Sequence, residues 1–152
     1  MKSKNVDWKN GPGKIGVLTP LLGAWQAVAA SPMGMVHCTR AFTPILNGKY
    51  VQLEASWEFG VKIYKEFAIY GINNGKLSFW SFTSDGKRST GTIADGTDID
   101  PHAIAFEAEM GPGRARMIYW PNETGGYNWA VEAKKKKGWS RFTLHHYTSL
   151  KS

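Results

Sequence analysis

The sequence contains little cysteine, little charge and no long apolar run. Cys38 is the only cysteine among 152 residues, so no disulfide can form within the chain. A transmembrane helix is excluded because no run of about 20 consecutive apolar residues occurs. Residues 1–17 also lack the apolar stretch that a secretory signal needs. We therefore expect a cytoplasmic protein that does not span a membrane.

Acidic residues are scarce as well. Twelve Asp and Glu stand against 19 Lys and Arg, which gives a formal net charge of +7. Such an excess suits nucleic acid, an anionic membrane surface or an acidic ligand. Four of the basic residues, however, form one run at 134–137, between two strand-like segments, and a solvated hairpin tip would explain them. Because the other basic residues are scattered and no RNA-binding consensus occurs, we expect no nucleic-acid partner.

Helical signals are nearly absent, apart from one near the N-terminus. Residues 1–16 are polar and contain Gly and Pro, which predicts an N-terminal arm. Thr19 followed by Pro20 is typical of a helix N-cap and first helical position, and predicts one turn through Leu22. The length suits a single domain, which we assign to residues 17–152.

The rest of the chain consists of short segments rich in Val, Ile, Thr and aromatic residues. Turn pairs that tolerate positive φ separate them, such as Asn47-Gly48 and Asn74-Gly75. Ten strands are predicted, near residues 23–30, 35–46, 49–59, 61–72, 76–84, 87–94, 102–110, 114–121, 126–134 and 138–148. A meander of this length has two unpaired edges unless it closes. The predicted fold is therefore all-β, a single antiparallel up-and-down barrel of about ten strands with a short N-terminal helix.

Side-chain alternation differs between the predicted strands. The segment 51–59 has one apolar and one polar face, whereas 61–72 and 77–83 carry large side chains on both faces. Two mixed faces are typical of a barrel whose interior is a lined cavity, and equally of a strand covered on its outside by the N-terminal arm.

Gly23 and Trp25 form a Gly-x-Trp motif on the first predicted strand, after a short helical turn and before a long meander. This arrangement resembles the calycin group of barrels, which includes lipocalins, fatty-acid-binding proteins and nitrobindin-like proteins. The segments ILNGKYVQLEASWEFG, AIYGINNGKLSFWSFTSDG and GTIADG are similar to a bacterial family of lipocalin-like domains of unknown function. The resemblance covers residues 18–100 and weakens after them.

The resemblance implies a structural role for Arg141. In lipocalins a basic residue on the last strand packs across the motif Trp and closes the end of the barrel, in a cation–π contact. A surface position for Arg141 is the alternative. Fatty-acid-binding members hold a carboxylate with Arg-x-Tyr near the C-terminus, and this chain has Arg141-Phe142-Thr143 instead, which argues against that clamp.

The mixed faces and the resemblance together predict reversible binding of a small, mainly apolar ligand inside the barrel, without a cofactor. The residues expected to line the site are Trp57, Tyr70, Trp80, Tyr119 and Trp129. Arg40 or Arg116 would meet an anionic group of the ligand. A register error of one residue would reverse each of these assignments. A homodimer is left open.

An enzymatic alternative depends on Glu66, which shares a strand face with Tyr64 and Tyr70. Some lipocalin-like barrels, phenolic acid decarboxylases among them, carry out lyase chemistry with a Glu and tyrosines. If this face points inward, Glu66 could act as general acid or base for a lyase or isomerase, with both tyrosines orienting an aromatic or carboxylate substrate. If it points outward, Glu66 is solvated, and this is the orientation that we favour from the sequence.

His145 and His146 suggest a metal or haem site, since nitrobindin-like barrels hold haem iron through one His near the end of the chain. Neighbouring side chains on a strand point to opposite faces, so these two residues cannot bind the same metal ion. We expect no metal site, and either His145 or His146 remains as an alternative haem ligand.

Overall fold

A computed structural model of the chain describes residues 8–110 and 113–150. The strands are β1 (Gly23–Ser31), β2 (Gly34–Ile45), β3 (Tyr50–Phe59), β4 (Lys62–Asn73), β5 (Lys76–Thr83), β6 (Arg88–Ala94), β7 (Ile104–Met110), β8 (Gly113–Pro121), β9 (Tyr127–Lys135) and β10 (Gly138–Ser149). They correspond one to one with the ten predicted strands. The largest difference is at β7, which begins at Ile104 instead of residue 102.

Each strand pairs with its neighbours in the sequence, and β1 also pairs with β10. All ten ladders are antiparallel, and the closing ladder pairs Trp25 with Ser149 and Gln26 with Thr148. Closure satisfies the backbone groups that would otherwise form two exposed edges. The structure confirms the predicted closed up-and-down barrel, which is consistent with a calycin-like fold.

The N-terminal helix differs from its predicted bounds. It is a 3-10 helix over Lys14–Leu21, so it begins at Lys14 and not at Thr19, and Pro20 lies within it. A glycine turn precedes the helix and explains its earlier start. In this turn the Gly11 amide donates hydrogen bonds to the Gly16 carbonyl and to the Thr19 hydroxyl. The end of the predicted arm, residues 14–16, is therefore helical, whereas residues 1–7 lie outside the described part. Within that part, no helix is long and apolar enough to cross a membrane.

The two ends of the barrel are built differently. At the closed end the helix packs on the barrel, and the Trp25 indole donates a hydrogen bond of 2.8 Å to the Leu21 carbonyl. The buried rings at this end pack edge to face or tilted, as Trp25 does on Tyr127 at 4.9 Å and Phe42 on Tyr119 at 5.8 Å. At the open end, inward-facing side chains such as Trp57 and Met117 are only half-buried. The interior is therefore filled at one end and accessible at the other.

Gly23 marks the point where the chain enters the barrel. Its φ of +116° lies in the region that only glycine adopts without strain. A Cβ at this position would meet only the Trp25 indole nitrogen, at 4.0 Å, so conformation and not crowding requires the glycine.

Candidate ligand-binding site

Arg40 lies at the centre of the barrel interior. It is on the face of β2 that also carries Cys38 and Phe42, and it is only 2% exposed. Its Nη2 donates a hydrogen bond of 2.5 Å to the hydroxyl of Tyr119. The guanidinium carbon lies 4.5 Å from the centre of the Trp129 ring, a distance typical of a cation–π contact. The sequence proposal that Arg40 faces the interior agrees with this placement.

Among the described residues no carboxylate forms an ion pair with Arg40, although Glu66 interacts with its charge electrostatically. Within residues 8–110 and 113–150 Arg40 takes part in no ion pair, and its Nε and Nη1 atoms have no hydrogen-bond partner. The hydroxyls of Tyr127 and Tyr147 interact with it electrostatically but make no hydrogen bond of good geometry. A buried charged group with unpaired donors is costly, so it needs an explanation.

Other unpaired polar atoms surround the same point. They are the hydroxyl oxygens of Tyr127 and Tyr147, the indole nitrogen of Trp129 and the Nδ1 atom of His145. All four residues are buried. Arg and Trp nitrogens can only donate hydrogen bonds, and the hydroxyl and imidazole groups can donate as well. Among the described residues, the Nε and Nη1 donors of Arg40 and the indole donor of Trp129 therefore have no acceptor within hydrogen-bond distance.

The protonation states strengthen this imbalance. Burial works to lower the pKa of Arg40, but the oxygen atoms of Tyr119, Tyr147 and Glu66 outweigh it and the net shift is upward, so the guanidinium stays charged. Burial raises the pKa of Tyr127 and of Tyr147, which remain neutral hydroxyls. Burial, then the charges of Arg40 and His146, lowers the pKa of His145 to about 4. The Arg40 cation thus lies among neutral hydroxyl and imidazole groups, and Glu66 is a carboxyl group that interacts with it electrostatically.

Cys38 also faces this cluster but does not resemble a nucleophile. Burial raises the pKa of its thiol to about 11, although the neighbouring Tyr147 hydroxyl and the charge of Arg40 oppose the shift. Only the thiolate is reactive, so a buried protonated thiol is inert near neutral pH.

Aromatic rings connect the cluster with the open end. Trp129, under the guanidinium, lies 6.3 Å from Trp57, and Trp57 lies 5.4 Å from Tyr64, measured between ring centres. Tyr64 is part of a pocket of about 560 Å³ at the mouth of the barrel, with Ser81 and Arg88 in its wall. An apolar wall thus extends from the mouth to the buried charge.

Glu66 faces the interior, and the outward orientation favoured from the sequence is wrong. Its partners across the sheet, Ala55 and Thr83, carry inward side chains, and the Ser81 hydroxyl donates a hydrogen bond of 2.6 Å to its Oε2. Tyr64 lies two residues before Glu66 on β4 and Tyr70 four residues after it, so both tyrosines point to the same face as Glu66. Glu66 also interacts electrostatically with Arg40.

Two of the proposed lining residues lie on the outside of the barrel. Trp80 is opposite Ile69 on the outer face of β5, in an external groove of about 450 Å³, while its neighbour Phe79 points inward. Arg116 is on the outer face of β8, where Asp98 and Glu132 neutralise it. Neither residue can line the interior. Trp57, Tyr70, Tyr119 and Trp129 do point into it.

Arg141 does not close the barrel over Trp25. An irregularity in the β9–β10 register between Arg141 and Thr143 leaves Arg141 opposite Glu132, to which its Nε donates a bond of 2.9 Å. Its guanidinium lies 5.2 Å from the ring centre of Trp120, on the outer face. The surface alternative is correct, and Trp25 is held by Leu21 and Tyr127 instead.

The two histidines are on opposite faces, as the strand geometry requires. His145 points inward between Trp129 and Tyr147, whereas His146 is exposed and bonds the Asn128 side chain at 2.6 Å. The haem alternative is thereby reduced to His145. In the part of the chain that the structure describes, no group of three or more His, Cys, Asp or Glu residues could hold a metal ion.

Four residues of the site were missed from the sequence, namely Cys38, Ser81, Tyr127 and Tyr147. The signal for the two tyrosines was present, because Tyr127 lies two residues before Trp129 and Tyr147 two residues after His145. Strand alternation places such pairs on one face.

The sequence matches no protein-family model. It also matches none of the curated proteins at a significant level.

Proposed function

We propose that this protein binds a small amphipathic ligand inside the barrel, with an anionic group on Arg40 and an apolar body along the aromatic wall. The observation that carries the proposal is a buried guanidinium, Arg40, that forms no ion pair among the described residues and has two nitrogens without a hydrogen-bond partner there. A carboxylate, sulfonate or phosphate offers only acceptors, which is what the Arg40, Tyr127 and Tyr147 donors lack.

The aromatic wall favours an apolar body for the ligand. Trp129, Trp57 and Tyr64 lead outward from the guanidinium, and Trp57 and Tyr64 are half-buried. Covering them would remove apolar surface from water, at about 25 cal/mol per Å². The carboxylate of Glu66 near the mouth repels a second anion, so the negative group would bind beyond it, at Arg40.

The test compares ligands that differ only in the head group. Calorimetric titration with dodecanoate and dodecan-1-ol, and with cinnamate and cinnamyl alcohol, separates the anionic contribution from the apolar one. We expect each acid to bind about 10- to 100-fold more tightly than its alcohol, because a charge-assisted hydrogen bond in a buried site contributes about 1.5–3 kcal/mol.

The matched variants are Arg40→Met and Arg114→Met. Arg40→Met keeps an apolar side chain in the interior and should abolish the preference for the acids, whereas Arg114 lies on the outer surface with Glu107 and Glu109 and its loss should leave the preference intact. Equal binding of acid and alcohol by the unaltered protein would overturn the proposal, as would an Arg40→Met variant that still prefers the acids.

A second candidate function, acid–base catalysis, depends on the inward position of Glu66. Its hydrogen bond from Ser81 and the nearby Tyr64 place a carboxyl group in the accessible half of the barrel, on the path toward Arg40. Here Arg40 would hold the carboxylate of a substrate and Glu66 would move a proton. Ultraviolet absorbance of hydroxycinnamic acids incubated with the protein reports turnover, which should disappear in Glu66→Gln while acid binding persists. Unchanged spectra across the panel would reject this candidate.

A further inference from the structure

The turns at the open end carry apolar side chains that the barrel does not use. The β1–β2 turn exposes Met33, which is 62% exposed, and the β3–β4 turn exposes Val61 completely. Met35, at the start of β2, is 62% exposed as well. These three side chains bury little surface and contribute little to folding, and they lie on two neighbouring turns at the mouth of the barrel.

Basic side chains lie on both sides of these apolar tips. In the order of strands around the barrel, the β9–β10 turn with the lysine run at 134–137 comes next to the β1–β2 turn. The β5–β6 turn with Lys87 and Arg88 follows the β3–β4 turn. Of the acidic groups near the rim, Asp85 pairs with Lys87 at 3.9 Å and Glu109 with Arg114 at 2.8 Å. Glu58, beside the β3–β4 turn, lies 3.9 Å from the His37 imidazole, so the described basic residues of the rim outnumber its acidic ones.

We propose that this open rim docks on the surface of an anionic lipid bilayer. Met33 and Val61 would enter the interface between head groups and acyl chains, and the lysines at 135–137 would contact lipid phosphates and carboxylates. The exposed lysines at 134–137 complement the negative charge of such a bilayer, as do Lys87 and Arg88. The exposed apolar side chains between these two basic turns suit the acyl chains beneath the head groups. The mouth of the barrel then faces the bilayer. That an amphipathic ligand passes across this contact rests on the proposed function.

The test is sedimentation of the full chain with vesicles. We expect binding to phosphatidylcholine vesicles that contain about 30% phosphatidylserine, weak binding to pure phosphatidylcholine, and a loss of binding at about 0.5 M salt. Replacing Lys135, Lys136 and Lys137 together by Gln should weaken binding about 100-fold, since each contributes a factor of about five. The pair Met33→Ser and Val61→Ser should weaken it about tenfold or more.

Matched controls lie at the closed end. Lys49→Gln with Lys76→Gln removes exposed lysines there, and Leu46→Ser removes a side chain that is 68% exposed. Equal losses per substituted residue in the rim and control variants would overturn the proposal, as would equal binding to neutral vesicles. Binding of the lysine run to a single-stranded RNA without binding to vesicles would also overturn it. Dodecanoate binding without vesicle binding would reject the docking alone and leave the proposed function intact.

Discussion

Arg40 and Arg116 are equally buried, each 2% exposed, but their surroundings are opposite. Arg116 bonds Glu132 at 2.9 Å and Asp98 at 2.7 Å, and its guanidinium stacks 4.6 Å from the Trp139 ring centre. Arg40 contacts aromatic rings and one tyrosine hydroxyl, and two of its nitrogens have no hydrogen-bond partner in the described part of the chain. Burial alone therefore does not distinguish a structural arginine from a binding residue, whereas the balance of donors and acceptors does.

Arg116 connects three parts of the chain. Asp98 belongs to the connection between β6 and β7, which folds over the outer surface of β8 so closely that a Cβ on Gly96 would lie 3.4 Å from Ile118. Glu132, on β9, also accepts a bond from Arg141 on β10. This network fixes the connection to the outside of the barrel, and every member has a partner of opposite charge.

The largest effect on stability is expected for Arg116→Met. The substitution leaves the buried carboxylate of Glu132 with Arg141 alone, and removal of one partner from a buried pair costs about 3–5 kcal/mol. The free energy of unfolding from urea titration measures this loss. A loss below about 1 kcal/mol would mean that Arg141 compensates fully, and Arg116 would then be no more than a surface residue.

A smaller loss of folding stability depends on pH and comes from His145, whose pKa is affected by Arg40. His145 has a pKa of about 4 in the folded barrel and an unfolded value of 6.5, so the unfolded chain takes up the proton first as the pH falls. Stability from this group is complete above pH 6.5 and is lost as the pH falls to about 4, by about 3 kcal/mol. Arg40 is the charged group inside the barrel that opposes protonation of His145, after burial itself.

His145→Phe isolates that contribution. Phenylalanine keeps a ring between Trp129 and Tyr147 but cannot titrate, so the variant should lose less stability than the unaltered protein between pH 6.5 and 4. Urea unfolding at several pH values gives both curves, and the carboxylates common to the two proteins cancel in the difference. Parallel curves would show that His145 is solvated in the folded protein.

Arg40→Met should change the free energy of unfolding in the opposite direction, and by less. The variant removes a buried charge with two unpaired nitrogens and leaves an apolar side chain against Trp129 and Phe42, so it should be as stable as the unaltered protein or about 1–2 kcal/mol more stable. Urea unfolding without ligand measures it. A loss like that of Arg116→Met would indicate that Arg40 supports the fold and would remove the main argument for binding.

The strands of this barrel could be predicted from the sequence, but the face on which several site residues lie could not. Strand positions followed from turn pairs and alternation, which are local signals, and the ten strands agree with the prediction. The directions in which the side chains of Arg116 and Trp80 point could not be predicted in this way, because β5 and β8 carry large or buried side chains on both faces and the outside of the barrel is partly covered there. Glu66 was misplaced for the converse reason, since the interior contains a charged group that can accommodate a carboxylate.

The smallest effect is expected for Arg114→Gln, on the same strand and outer face as Arg116. Arg114 bonds Glu107 and Glu109 at 3.1 and 2.8 Å, distances as good as those of Arg116, but its side chain is half exposed. Water and salt screen such a pair and replace its bonds, so its loss should leave the urea midpoint within the scatter of replicates. A clear loss would mean that hydrogen-bond geometry and not burial sets the contribution of these arginines. The contrast between Arg40 and Arg116 would then have to be explained by their partners alone.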